Sequence, residues 1–111
     1  MSANLTALID DLIDSYNTML SVQASAADRA ATQDLIRHLG KLRAAATTAA
    51  LDSNTSDFKA AAELMSAAST AAKASLVDLG RFKDGLAKAT NAAKALDGLL
   101  AAAGSVVGSI V

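Results

Sequence analysis

The sequence predicts an all-α fold: an antiparallel helical bundle, four helices in one domain spanning residues 1–111. Three observations carry this expectation. The chain of 111 residues has no proline and no cysteine, and about a quarter of it is alanine, the strongest helix former. Apolar residues recur at three- and four-residue steps along most of its length, the spacing of one helix face. Clusters of Ser, Thr, Asn, Asp and Gly interrupt that spacing often enough to leave helices of roughly twenty residues. At 11.1 kDa a second independent core is not expected.

The first helix is the clearest. Leu5, Leu8, Ile9, Leu12, Ile13, Tyr16, Met19 and Leu20 form one apolar stripe, with Ser2 or Asn4 as cap. Asp10, Asp11 and Asp14 fall opposite, in a solvated position, toward the end where negative charge suits the helix dipole. The pattern lapses over Ser21–Ala24, which predicts a turn. Ser25 followed by Asp28 resembles a capping box and starts the second helix. Its stripe is Leu35, Leu39, Leu42, Ala46 and Ala49, flanked by Ile36. Gly40 lies inside it, where glycine costs about 1 kcal/mol against alanine and often marks close backbone approach. The run Asp52-Ser53-Asn54-Thr55-Ser56-Asp57 is the strongest turn signal in the chain.

From Phe58 onward one heptad register never slips. Phe58, Ala61, Met65, Ala68, Ala72, Ser75, Leu79, Phe82, Leu86, Ala89, Ala93, Leu96, Leu100, Ala103, Val107 and Ile110 carry no charge. Two architectures satisfy it. Gly80 and Gly85 favour a break, with Gly80 ending the third helix and Asp84 capping a fourth, which gives an up-down-up-down bundle with short loops. The alternative is three helices with a long C-terminal helix from about 55 to 103, roughly 70 Å at 1.5 Å per residue. The four-helix arrangement is the expectation adopted.

Little in the sequence points to chemistry. There is no thiolate, no phosphate-binding loop and no metal-ligand spacing, so no catalytic, cofactor-binding or metal residue is assigned and no cofactor is expected. The single histidine, His38, is expected on the solvated face of the second helix, one turn from Asp34. Asp10, Asp11 and Asp14 point away from the stripe and have no histidine beside them, unlike the inward-facing ligands of di-metal bundles. Arg29, Arg37, Lys41 and Arg43 give the second helix a mildly basic face, suited to solubility or to the acidic face of another copy. A net charge of −1 argues against a nucleic-acid partner.

No secretory leader and no long apolar span is visible, so cytoplasmic residence is the default, while leaderless export would leave no mark. The uncharged run Gly98–Val111 is too short for an ordinary spanning helix, and its Gly104 and Gly108 form a G-x-x-x-G spacing. The composition, rich in Ala, Ser and Thr, resembles that of helical filament subunits, leaderless exported proteins and phasin-type granule coats. The expected function is non-enzymatic: a structural or interaction protein that self-assembles or binds a protein partner through the heptad seam. Leu79, Phe82, Leu86, Leu96, Leu100, Val107 and Ile110 are the candidate partner or oligomer interface. The alternative is an amphipathic protein of a lipid or granule surface using the apolar C-terminal segment; its polar faces lack the Lys/Arg enrichment of such helices.

Overall fold

Side-chain oxygens set where the helices begin. In the computed structural model, which describes residues 4–49, 51 and 54–102, four helices follow in order: α1 (Asn4–Val22), α2 (Ala26–Thr48), α3 (Ser56–Val77) and α4 (Phe82–Ala102). Ser25 Oγ accepts from Asp28 N at 3.3 Å and caps α2 as expected. Thr55 Oγ1 accepts from Phe58 N at 3.2 Å and caps α3 within the expected turn cluster. The Arg29 guanidinium donates to the carbonyls of Leu20 and Gln23, so the first turn of α2 satisfies the open end of α1. Ser2, Asp52 and Ser53 lie outside the described residues.

The chain breaks between α3 and α4, which rules out the long C-terminal helix. The break starts earlier than Gly80. Helix α3 ends at Val77, Asp78 turns to extended backbone (φ −138°, ψ 98°), and its carboxylate accepts from Gly80 N at 3.0 Å. A single 3-10 turn, Leu79–Arg81, leads directly into α4. Asp84 therefore sits in the first turn of α4 and is not its cap. Its charge still complements the helix dipole there.

The helices alternate in direction, but the neighbours are not those of a simple ring in chain order. Helix α1 packs on α2 and α3; α4 packs on α3 and α2. Among the described residues, α1 has no Cα within 8 Å of α4, nor α2 of α3. The segment joining α2 to α3 thus crosses the diagonal of the bundle. Leu5 shares a cleft with Phe58, while Asp11 meets Ser69 and Lys73, so α1 and α3 run parallel. The fold is a pair of helical hairpins, α1–α2 and α3–α4, laid side by side over 40 × 23 × 18 Å.

One core joins them. Ile9, Leu12, Tyr16 and Met19 of α1, Leu39 and Leu42 of α2, Met65, Ala68 and Ala72 of α3, and Ala89, Ala93, Leu96 and Leu100 of α4 are fully buried. Where Ala71 and Ser75 of α3 meet Gly85 of α4 the side chains are small and the backbones come close. A Cβ built on Gly85 would stand 2.9 Å from Ser75 Oγ and 3.4 Å from the Ala71 carbonyl oxygen. Gly40, where close approach was expected, meets nothing within 4 Å and faces solvent.

Candidate interaction surface

The heptad seam is the inside of the molecule. Phe82, Leu96 and Leu100 are buried in the chain's own core, and Leu86 is half-buried against it. Leu79 alone of the described set is open, 43 % exposed on the 3-10 turn. Val107 and Ile110 lie outside the described residues, as does the G-x-x-x-G pair Gly104 and Gly108. The seam residues share one register because two antiparallel helices use the same face spacing on either side of a short turn.

The polar residues singled out in the sequence are mostly engaged within the chain. His38 is buried, not solvated: its Nε2 lies 3.1 and 3.2 Å from the two carboxylate oxygens of Asp97 on α4. Asp34, the expected neighbour, pairs with Arg37 instead, at 2.9 Å. Asp10 accepts from the Arg43 guanidinium on α2. Asp11 accepts from Ser69 Oγ and, at 3.0 Å, from Lys73 Nζ on α3. The Ser69 hydroxyl first, then the Lys73 ammonium, hold the Asp11 carboxyl below its ordinary value. One pair, Asp10 with Arg43, thus joins the acidic face of α1 to the basic face of α2 inside one chain, a contact the sequence suggested only between copies. Among the described residues no three His, Cys, Asp or Glu side chains group to hold a metal ion.

What remains uncovered is a second apolar stripe on α3. Buried positions on this helix are Phe58, Ala61, Met65, Ala68, Ser69, Ala72 and Ser75. Ala60, Leu64, Ala67, Ala71 and Ala74 recur at the same three- and four-residue steps on an outer shoulder. Leu64 is 41 % exposed, and Val77, one turn past Ala74, is 91 % exposed. Beside this stripe runs an open groove between α3 and α4 of about 520 Å³. Its floor is Ala67, Ala71, Ala74 and Gly85; its rim carries Thr70, Arg81, Asp84 and Lys88. The groove lies where the two helices approach on small residues, Gly85 against Ser75 and Ala71, which leave the space above them unfilled. Sequence reasoning followed the core stripe and missed this one, although its signal, alanine and leucine on two faces of one helix, was present.

Two further clefts open at the pole where α1 and α3 begin. One of about 390 Å³ is bounded by Leu5, Arg43, Ala46, Leu51 and Phe58, and one of about 470 Å³ by Leu5, Leu8, Asp11, Phe58 and Ala62. Their largest apolar walls, Leu5 and Phe58, are already buried. The α3–α4 groove lies toward the turn that joins these helices, along the second half of α3 and the start of α4, and is formed wholly of described residues.

The described residues form an all-α four-helix bundle with an uncovered apolar face on α3. No family model, curated protein or solved structure matches the chain. No helix among the described residues is long and apolar enough to cross a membrane.

Proposed function

We propose that this is a non-enzymatic interaction module, a small helical bundle that works by associating with copies of itself or with a protein partner. The docking surface is the outer face of α3 with the groove it shares with α4, rather than the heptad seam, whose Phe82, Leu86, Leu96 and Leu100 pack in or against the chain's own core. The observation that supports this reading most is Leu64, 41 % exposed one turn before Ala67, where the alanine floor of the groove begins. Isolated exposed leucines are common; one placed beside a groove of small residues forms a contiguous apolar surface of the kind partners cover.

Site-specific photocrosslinking in cells tests the reading. A benzophenone side chain at position 64 is expected to give a discrete adduct of defined mass. The same probe at Arg37, on the solvent side of α2, is expected to give none. Equal, diffuse labelling at both positions overturns the proposal.

A further inference from the structure

We infer that the occupant of the α3–α4 groove is a second copy of this chain, docked antiparallel about a two-fold axis that meets α3 near residue 69. This inference rests on the reading of the α3 face as a docking surface. Its first support is self-complementarity. A two-fold interface requires one surface to carry both the projection and its receptacle. Leu64 projects at one end of the stripe, and the floor of Ala71, Ala74 and Gly85 lies open toward the other. Rotation about the midpoint between Ala67 and Ala71 seats each Leu64 over Ala74 of the other copy. Floors of alanine and glycine let the helices reach the short end of the usual 8–10 Å range of axial separations.

The second support is charge, which also decides the direction. In a parallel pairing each residue would face its own twin: Glu63 against Glu63, Lys59 against Lys59, Lys88 against Lys88. Like charges so placed oppose association. The antiparallel register instead brings Asp57 level with Arg81 and Lys59 level with Asp78. Glu63 comes level with Ser75 and Gly85, between the Arg81 and Lys88 rims of the other copy. Glu63, Lys59 and Lys88 form no ion pair with the described residues of their own chain, and all three are exposed. Arg81 is held by Asp78 at 3.6 Å, with both side chains more than half exposed. Asp84, the one acid on the rim, stands one turn before Lys88 on the same helix.

The size of the contact sets its strength. One helix face and a groove rim fall near or below the roughly 800 Å² per partner of standard interfaces, so the dimer is weak and its population depends on concentration. Sedimentation equilibrium of the full chain from about 10 μM to about 1 mM reads this directly. The expected mass rises from 11.1 kDa toward twice that value. Leu64→Asp, outside the core, is expected to keep its helical circular dichroism and to raise the dimer dissociation constant at least tenfold. Glu63→Lys is expected to weaken the dimer severalfold, and Glu63→Lys combined with Lys88→Glu to restore it. A monomer throughout the range, or a dimer indifferent to Leu64→Asp, overturns the self-pairing. If the chain stays monomeric while position 64 still gives a discrete adduct with another protein, the self-pairing alone falls. Loss of both removes the docking surface as well.

Discussion

Tyr16 offers the sharpest test of the core. Its ring is fully buried among the apolar side chains of the bundle, and its hydroxyl has no hydrogen-bond partner among the described residues. A buried hydroxyl left unpaired costs about 1–3 kcal/mol relative to its hydrated state. Tyr16→Phe removes the oxygen and keeps the ring. The void it leaves, roughly 15 Å³, costs about 0.4 kcal/mol at 24 cal/mol per Å³. The variant is therefore expected to be more stable by about 1 kcal/mol. Urea unfolding at pH 7, followed by circular dichroism, reads this as a midpoint higher by roughly 0.5–1 M with unchanged slope. Burial also pushes the phenol from 10.0 up to about 12. Between those values the unfolded chain releases the proton while the folded chain holds it. Wild-type stability must then fall with rising pH by up to about 1.4 kcal/mol per pH unit from this group alone. The Tyr16→Phe variant lacks that loss, so its advantage should widen above pH 10. Tyr16 is the only tyrosine, so phenolate absorbance reports it without interference. A variant less stable than wild type at pH 7, or a folded phenol that ionises at its ordinary value, refutes the reasoning.

Other expectations concern the contacts between helices. Gly85→Ala should destabilise by about 1–2 kcal/mol: the new methyl meets Ser75 Oγ, which cannot move without loosening its bonds to the Ala71 and Arg81 carbonyls. Gly40→Ala, in open space, should stabilise by up to about 1 kcal/mol in the same urea unfolding; effects of equal sign would break the contrast. His38→Ala and Asp97→Ala, combined in a double-mutant cycle, should show a coupling of about 1 kcal/mol, against strict additivity if the pair contributes nothing. Asp11, whose folded carboxyl is held below 3.8, adds stability above that pH and loses it as the pH falls further. The stability difference between wild type and Asp11→Asn should accordingly shrink in acid titrations below pH 4 and persist at pH 7.

Periodicity told which face of each helix turns inward, and it did so well. The α1 stripe from Leu5 to Leu20 is buried or half-buried throughout, and the Phe58–Leu100 register fails only at Leu79. Local chemistry told where helices start, because a cap such as Ser25 acts across three residues. What a face will meet is not local information. The partner of His38 lies 59 residues away on α4, and the partners of Asp11 lie 58 and 62 residues away on α3. A surface-looking residue becomes buried when a neighbouring helix brings its own polar group, and no spacing rule encodes that. The turn after α3 was displaced for a related reason. Glycine draws the eye, but the Asp78 carboxylate closing on Gly80 N ends the helix two residues earlier.

The diagonal connection has a consequence for how the chain finds its fold. Each hairpin can close from nearby sequence, but the two hairpins meet through contacts that span half the chain, the slow part of assembly in topology-limited folding. Alanine makes that meeting ambiguous, since one methyl resembles the next and a hairpin could slide by a turn at little cost. Directional bonds between the hairpins do not tolerate such sliding. Asp11 with Ser69 and Lys73 locks one shared flank, and His38 with Asp97 locks the other. These few polar contacts work as alignment pins: their contribution is less to hold the halves together than to make one docked position differ from all its near copies.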